Sequence, residues 1–430
     1  MKKSLFAICM TLSISATLFT PEKRAFAESV PNDYLVSLEN ANSGLYLDLS
    51  LSTDLSLGNS QLKLITQNDL GFYYKPLIQF RKKSEKEYAE NQKFIFFKLD
   101  NNYYTIANKD DGTVTDSNFL PRIYNYFKND PEKYYFLRKY FDPKVTANDQ
   151  WNGSIGMQWY LGDTDNPEYK TIKSRLTSKV MDVADSSKEQ SKVVVTNDSH
   201  GGASQKWRMV KRDKLPMPAE TKKEKVPDIP QYTSYAEYLP DKTEPVTIAS
   251  TLIPYFMVND TWGRKDQIDK TPYYKLVKKQ YWKKQFDHVF LPGETHTRVE
   301  KYGISKQAVE TMRDKLGITT TINAGLNFGT NEASKKGAGS LALTITKELE
   351  TTKSITESES TEKSIEMKYI NSNDQQLAMA KYALVTQYSL ERTDGSLVSE
   401  PWEVLQENVT RSTTWPDKRN INSSPIKIIN

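Results

Sequence analysis

The sequence is nearly free of cysteine and histidine, with one cysteine and three histidines in 430 residues. Cys9 lies in an amino-terminal apolar stretch that we predict to be removed, so the exported chain would contain no thiol. This excludes disulfides, thiolate metal sites and a cysteine nucleophile from that chain. His200, His288 and His296 do not form a His-Glu-x-x-His pattern, and no Gly-x-Ser-x-Gly nucleophile motif occurs. We therefore expect neither an enzyme nor a metal or other cofactor.

Long hydrophobic runs are also missing, apart from residues 5–19, which follow Lys2 and Lys3 and precede Ala25-Phe26-Ala27. A charged start, a short apolar run and a small-x-small site are typical of a secretory signal peptide. The run is shorter than the roughly 20 residues that a membrane-spanning helix needs. We predict cleavage after Ala27 and secretion of the remaining chain.

The excess of positive charge is small once this leader is set aside. The full chain has 59 Lys and Arg against 54 Asp and Glu, a net charge of +5. Residues 1–27 contain four of the basic residues and one of the acidic residues, which leaves 55 against 53 and a net charge of +2. A nearly neutral chain does not indicate a nucleic-acid partner.

Three copies of one pattern occupy the first half of the chain. Residues 34–210 contain short β-type segments separated by Asn, Asp, Gly and Ser, with little helical periodicity. In each copy an apolar strand is followed by a segment that ends in a glutamine close to a large aromatic residue. The closing segments are Gln92-Lys93-Phe94, Met157-Gln158-Trp159 and Gln205-Lys206-Trp207. Because one copy cannot bury its apolar face alone, the pattern predicts a ricin-type β-trefoil, with a generic β-sandwich as the alternative.

The composition changes after the third copy. Residues 212–245 contain six prolines mixed with Lys and Glu, which predicts a semi-rigid linker or a connection along a sheet edge. We predict a trefoil domain over residues 28–211, this linker, a second β-rich domain over 246–415 and a tail over 416–430. Residues 348–368 are rich in β-branched and hydroxyl side chains and predict an extended, solvent-facing strand. The predicted fold class is all-β.

An alternating pattern in the second domain predicts an amphipathic β-hairpin. Apolar and small polar residues alternate with period two over residues 316–328, and the alternation resumes at residue 340 after a connection that contains Lys335 and Lys336. The apolar positions are Leu316, Ile318, Ile322, Ala324, Leu326 and Phe328 in the first arm and Leu341, Leu343 and Ile345 in the second.

This hairpin has the length and the two faces of a membrane-spanning β-strand pair. Such strands need about 9 to 11 residues, with apolar side chains towards lipid and small or polar ones towards water. Strands with unpaired backbone groups cannot cross a bilayer, so several copies of the chain would have to close into a barrel. The alternative, and the commoner arrangement, is an ordinary hairpin with one face on the domain core.

Several separated blocks within residues 246–410 resemble one known protein family. They are Ser250–Asp260, Thr271–Trp282, Leu291–Thr295, Glu300–Ser305, Gly325–Gly329, Leu390–Ser396 and Pro401-Trp402. In this order they resemble the Bin-type binary insecticidal toxins of spore-forming bacilli, also called toxin-ten or Tpp proteins. The resemblance implies a lectin-like trefoil for receptor recognition and an aerolysin-like pore-forming domain. It also implies a protoxin that gut proteases trim, and that then oligomerises and permeabilises the midgut epithelium.

The leader is a departure from that family, whose typical members accumulate in spore crystals. It favours secretion, and association with spore or crystal material stays an alternative. Some members of the family act only in pairs. A second toxin component is therefore a candidate partner, beside cell-surface glycans or glycolipids, the target-cell membrane and further copies of the chain itself.

The trefoil copies supply the candidate carbohydrate-binding residues. The resemblance to ricin-type repeats implies that a sugar is held by an aspartate, an aromatic platform and a polar residue beside the glutamine motif. In the third copy Asp182 and Gln205 match the first and last of these, and His200 is the candidate platform. Asp48 matches in the first copy, and Asp116 is a candidate in the second. The alternative for each is a structural role in a turn.

The sequence favours a secreted insecticidal toxin that binds glycans, is cleaved, oligomerises and inserts residues 316–349 into a membrane. Lys418 and Arg419 in the polar tail are candidate activation sites, with Arg81–Lys83 and Lys222–Lys225 as further trypsin candidates. The alternatives are a secreted lectin without pore activity and the receptor-binding component of a binary toxin. A glycan-targeted enzyme is a third alternative, for which no carboxylate pair stands out.

Overall fold

The computed structural model describes residues 32–50, 75–99, 102–117, 129–132, 144–148, 151, 154–316, 319–320, 326–327, 362–417 and 422–429. This part of the chain is almost entirely β, and its longest α-helices are α1 (Arg264–Lys270) and α2 (Lys306–Leu316). None of its helices has the length and apolar character to cross a lipid bilayer. The prediction of an all-β fold is confirmed.

Twelve of the described strands form the amino-terminal domain. They are β1 (Tyr34–Asn40), β2 (Tyr46–Leu49), β3 (Lys75–Phe80), β4 (Phe94–Lys98), β5 (Tyr103–Asn108), β6 (Val114–Asp116), β7 (Thr146–Asn148), β8 (Trp159–Asp163), β9 (Tyr169–Ser174), β10 (Val180–Val183), β11 (Val194–Asn197) and β12 (Trp207–Lys214). Six of them close a barrel in the order β1, β4, β5, β8, β9 and β12, with β12 paired back to β1. The other six form the hairpins β2–β3, β6–β7 and β10–β11. Four strands in each of three copies make the predicted β-trefoil.

Each copy contributes one large aromatic side chain to the interior of the trefoil. Phe94, Trp159 and Trp207 have no exposed surface. The indole N–H groups of the two tryptophans donate to the backbone oxygens of Thr115 and Met181, at 3.4 and 3.2 Å, so their polar edges are paired. The shared threefold core that the closing segments predict is thus present.

Nine further strands belong to the second half of the chain. They are β13 (Val246–Pro254), β14 (Tyr273–Phe290), β15 (Thr295–Tyr302), β16 (Thr319–Thr320), β17 (Leu326–Asn327), β18 (Lys363–Ile370), β19 (Leu377–Glu391), β20 (Trp402–Trp415) and β21 (Asn422–Ile429). Antiparallel pairing gives a four-stranded sheet, β13-β14-β19-β20, and a three-stranded sheet, β15-β18-β21, while β16 pairs with β17. Aromatic and aliphatic side chains of the two larger sheets pack together in two clusters. Their buried members are Phe286, Phe290, Tyr302, Ile365, Tyr369, Met379 and Ala383.

The proline-rich segment lies along the four-stranded sheet. The indole nitrogen of Trp282 donates to the backbone oxygen of Pro227 at 2.8 Å, and the Tyr382 hydroxyl donates to that of Pro240 at 2.8 Å. Three side chains of the segment are buried in the same cluster as these two aromatic residues. They are Ile229, Tyr232 and Leu239. The segment therefore follows the sheet instead of bridging a gap.

One apolar cluster joins the trefoil to the four-stranded sheet. The ring of Phe97 in β4 lies 5.7 Å from that of Tyr255 and 5.0 Å from that of Tyr273. The buried Tyr255 hydroxyl donates to the backbone oxygen of Gly112, which lies in the turn between β5 and β6. Sequence analysis predicted a domain boundary between these elements, but their side chains form a continuous core.

The prediction that the first arm of the hairpin begins at Leu316 is wrong. Leu316, predicted to begin a strand, ends α2 and is 2% exposed. It packs there because Val309, Met312 and Leu316 recur at helical spacing and face the shared cluster. Thr319 and Thr320 pair antiparallel with Asn327 and Leu326, so these two short strands lie side by side.

The other predicted insertion and activation residues lie outside the described residues. They are Ile318, Ile322, Ala324, Phe328, Leu341, Leu343, Ile345, Lys418 and Arg419.

The predicted carboxyl-terminal tail contains a strand. Residues 422–429 form β21 and pair with β18 from Ser364↔Ile429 to Ile370↔Asn422. Pro425 disfavours a strand in the sequence, but it is tolerated here because β21 is an edge strand and the register shifts beside it. Residues 363–368 of the predicted extended segment lie in β18, and residues 348–361 lie outside the described part.

Candidate carbohydrate and membrane-insertion sites

The third trefoil copy brings its three predicted residues together around one carboxylate. Asp182 Oδ2 accepts hydrogen bonds from Gln205 Nε2 at 3.1 Å, from His200 Nε2 at 3.0 Å and from Asn197 Nδ2 at 3.3 Å. The Asp182 side chain is only 3% exposed, and its Oδ1 atom has no hydrogen-bond partner. Buried carboxylate oxygens are rarely left without a hydrogen-bond partner. The Oδ1 atom of Asp182 is therefore an unusual feature of this site, because it could still accept a hydrogen bond.

His200 covers this carboxylate on its solvent side. Its side chain is 44% exposed, and its Nδ1 atom accepts from the backbone N–H of Gly202 at 3.2 Å. That bond requires the tautomer protonated at Nε2, which is the one that donates to Asp182. A Cβ atom on Gly202 would lie 2.7 Å from the imidazole, so the glycine makes room for the ring. The imidazole of His200, the candidate platform for a sugar, therefore contacts the Asp182 carboxylate directly.

The first copy repeats this arrangement with a lysine in place of the histidine. Gln92 Nε2 donates to Asp48 Oδ2 at 2.8 Å, as Gln205 does to Asp182. The backbone N–H of Lys83 donates to Gln92 Oε1 at 2.9 Å, as that of His200 does to Gln205 Oε1 at 2.9 Å. Lys83 thus occupies the place of His200.

In the first copy the aspartate forms an ion pair with the lysine. Lys83 Nζ lies 2.7 Å from Asp48 Oδ2, and the Asp48 side chain is 1% exposed. Burial raises the pKa of Asp48, and the bonds from Lys83 and Gln92 offset that rise only in part. A neutral sugar hydroxyl is a weaker partner for a carboxylate than an ammonium group, so Lys83 competes with any sugar for Asp48.

The second copy is described only in part. Asp116 and Gln158 are buried, at 3% and 0% exposure, and Arg175 Nη1 donates to Gln158 Oε1 at 2.6 Å. Residues 118–128 and 133–143 of this copy lie outside the described residues. Two residues before Trp159, where the other copies have Gln92 and Gln205, this copy has Met157, so Gln158 is not the counterpart of those glutamines.

A buried charge cluster holds the three-stranded sheet against the four-stranded sheet. Glu300 in β15 accepts from Lys381 Nζ in β19 at 2.9 Å and from the hydroxyls of Tyr302 and Tyr369. Burial raises the pKa of Glu300, but these three bonds outweigh it and hold the pKa below its usual value. Sequence analysis did not find this cluster, because its members are up to 81 residues apart.

The predicted insertion segment lies in sequence between β15 and β18, whose ends Tyr302 and Lys363 are register partners. It follows β15 and α2 and precedes β18, so both of its ends are attached to elements described here. On its far side β18 is paired with β21 over residues 364–370. The carboxyl-terminal strand therefore forms an edge of the three-stranded sheet, beside the strand that follows the insertion segment in the chain.

Comparison with known proteins finds one family match in each half of the chain. Residues 246–417 match the family described as Insecticidal Crystal Toxin, P42, and residues 156–217 match the ricin-type beta-trefoil lectin domain-like family. The resemblance to the Bin-type insecticidal toxins is confirmed. The chain is similar to the binary larvicide subunit BinA of Lysinibacillus sphaericus, with 26% identity over 327 residues, 76% of this chain and 81% of BinA. It is 24% identical to the subunit BinB over 339 residues, 75% of this chain and 70% of BinB.

The fold of the chain agrees with a solved structure. The crystal structure of Cry35Ab1 superposes with a TM-score of 0.68 at 19% sequence identity, covering 90% of this chain and 91% of the other. By sequence, the Bacillus thuringiensis protein of that name is 25% identical over 313 residues, 70% of this chain and 80% of Cry35Ab1. The trefoil followed by elongated antiparallel sheets is thus shared across most of both chains.

Proposed function

We propose that this chain is a secreted, non-enzymatic insecticidal toxin that binds cell-surface carbohydrate, is activated by cleavage near Lys418 and Arg419, oligomerises and permeabilises a membrane. The match to the insecticidal crystal toxin family over residues 246–417 supports the toxin class. The observation that carries the mechanism is the pairing of β21 with β18, the strand that follows the amphipathic sequence in the chain.

Cleavage at the proposed sites would separate β21 from the rest of the chain. Lys418 and Arg419 precede β21, which begins at Asn422, and β21 would then be held only by its backbone bonds and contacts with β18. Its loss would leave the N–H and C=O groups of β18 unpaired along one edge. An unpaired edge is a ready template for pairing with another strand, which is the step that oligomerisation needs.

A disulfide between β18 and β21 tests this proposal directly. Lys368 and Ser424 are register partners, and opposed strand residues lie within the Cα separation that a disulfide spans. Cys9 lies in the predicted leader, so a secreted K368C/S424C variant has no competing thiol. After trypsin treatment we expect the oxidised variant to release no dye from liposomes made of target-gut lipids, and the reduced variant to release dye as the parent does.

Single-cysteine variants are the controls for the disulfide experiment, because they show whether the substitutions alone change leakage. The single variants K368C and S424C should leak equally with and without reductant. Leakage by the oxidised, fully cleaved double variant would show that release of β21 is not required. The absence of leakage under every activation condition, with glycan binding retained, would contradict pore formation itself and favour a lectin.

Within the trefoil we propose that the third copy binds a neutral sugar and that the first copy does not. The free Oδ1 of Asp182 and the partly exposed His200 support the third copy, since rotation of one imidazole would open the carboxylate and supply an aromatic face. Lys83 holds Asp48 in an ion pair and argues against the first. On an array of neutral glycans, D182N should abolish binding, whereas D48N should leave it unchanged. Equal loss in both variants would contradict this assignment.

A receptor-binding component of a binary toxin is the second candidate function. It is favoured by the similarity to BinA and BinB, which are named as subunits of a binary larvicide. This candidate predicts that the cleaved chain binds target membranes without permeabilising them until a second protein is added. Leakage by the cleaved chain alone would exclude it.

A further inference from the structure

We infer that the outer surface of β5, β8 and β9 is a second carbohydrate site, selective for sugars that carry a carboxylate. The inference rests on the carbohydrate recognition proposed above and extends it to a different surface. It uses none of the aspartate and glutamine side chains of the repeat motif as direct sugar ligands.

Tyr160 is the centre of this surface. Its side chain points outward from β8 and is 43% exposed, whereas its neighbour Trp159 is fully buried. In the barrel it lies between Tyr103 of β5 and the exposed Lys173 of β9. The rings of Tyr103 and Tyr160 are 6.3 Å apart at 64°, an edge-to-face contact that limits their motion. An exposed ring held in this way is a stacking platform for a pyranose.

Arg175 supplies a guanidinium group that is already oriented. Its Cζ atom lies 4.5 Å from the centroid of the Tyr103 ring, and its Nη1 atom donates to Gln158 Oε1 at 2.6 Å. Stacking and this one bond fix the plane of the group, while its other nitrogens have no side-chain partner among the described residues. A fixed, planar guanidinium favours a carboxylate because it can donate two parallel hydrogen bonds.

Among the described residues, no carboxylate neutralises the positive charge of this surface. Within the described part of the chain, neither Lys173 nor Arg175 has a carboxylate within 4.0 Å, while their neighbour Lys170 pairs with Asp163 at 2.6 Å and Lys179 lies 3.9 Å from Asp198. Two unpaired cations beside an exposed aromatic ring attract an anion more strongly than a neutral sugar.

The threefold repeat shows that this surface is particular to the second copy. The residue after the closing aromatic is Tyr160 in the second copy and Arg208 in the third. Arg208 lies between Tyr169 and Glu39, and its guanidinium pairs with the Glu39 carboxylate at 2.7 Å. Where the third copy has a carboxylate from the chain itself, the second copy has Lys173, and we assign the missing negative charge to the ligand.

Binding of the full-length protein to immobilised 3′-sialyllactose and to lactose tests the inference. We expect at least tenfold tighter binding to the acidic sugar, and we expect Y160A and K173Q each to remove at least tenfold of that affinity. K170Q is the matched control, since it removes the same charge from a lysine of the same strand that is paired with Asp163. It should bind as the parent does.

Three outcomes would overturn the inference. They are equal affinity for the two sugars, unchanged binding by Y160A and K173Q, and competition by millimolar inorganic phosphate as effective as competition by free sialic acid, which would indicate an unselective anion site. The D182N variant separates this site from the one proposed in the third copy. It should lose neutral-glycan binding and keep sialyllactose binding, so either site can fail while the other stands.

Discussion

Replacement of Lys381 by methionine tests the buried cluster that joins the two sheets. Glu300 is 1% exposed and Lys381 is 13% exposed, so the variant would leave a buried carboxylate without its counter-charge. Removal of one partner of a buried ion pair typically costs about 3–5 kcal/mol. The hydroxyls of Tyr302 and Tyr369 still donate to Glu300, which places the expected loss near the lower value, about 3 kcal/mol.

The difference in stability between K381M and the parent should depend on pH in a defined direction. In the parent the pKa of Glu300 is lowered, so its contribution to stability is present above the ordinary pKa of 4.5 and is lost as the pH falls below it. In K381M burial is opposed by fewer bonds, and we expect a raised pKa. The variant should then gain stability relative to the parent as the pH falls from 7 towards 5.

Urea unfolding, followed by tryptophan fluorescence at pH 7 and pH 5, measures both effects. The double variant E300Q/K381M removes both charges and should recover most of the loss, because it leaves no uncompensated buried ion. A K381M variant within 0.5 kcal/mol of the parent would refute the reasoning. A double variant less stable than K381M would also refute it.

Three further predictions concern the rest of the molecule. R392A should lower the free energy of unfolding by about 3 kcal/mol, since the Asp260 side chain has no exposed surface and accepts two hydrogen bonds from Arg392 at 2.6 and 2.7 Å. Chemical denaturation measures this loss. These bonds and that from Tyr274 outweigh burial and lower the pKa of Asp260 to about 2, so the parent should lose this stability as the pH falls from about 4 towards 2, and R392A should not. G112A should lower the melting temperature, because φ is +69° and the new Cβ would lie 2.7 Å from Arg264 Cγ; G263A, with nothing within 4 Å, is the control.

The trefoil was predictable from sequence because its signal is repeated. A glutamine and a large aromatic residue lie close together at the end of each of the three copies, which predicts that Phe94, Trp159 and Trp207 share one core. The ligand geometry was not predictable in this way. Lys83 and His200 occupy equivalent positions but lie nine and five residues before their glutamines, and only their backbone bonds reveal the equivalence.

The alternation in residues 316–328 occurs only once in the chain, and it predicts structure less reliably than the repeated trefoil pattern. Period two predicted a straight strand from Leu316, yet Leu316 also completes a helical series with Val309 and Met312. The helix is favoured over the strand because it buries Leu316 in the cluster that joins the trefoil to the four-stranded sheet. This tertiary contact cannot be read from the local sequence. The prediction that the segment inserts into a membrane concerns another state of the chain and stays a prediction.

The continuous core between the trefoil and the four-stranded sheet bears on how recognition could lead to insertion. Phe97 of the trefoil is packed among Tyr255, Phe256 and Tyr273, whose rings lie 5.0 to 5.7 Å away. Lys109 of the trefoil and Asp269 of α1 form an ion pair beside this cluster. A lectin on a flexible tether would only raise the local concentration of toxin at a membrane. A lectin that shares a core with the sheets also fixes their orientation when it binds. We therefore expect substitutions that loosen this junction, such as F97A, to reduce leakage more than glycan binding, and equal reductions would favour the tether.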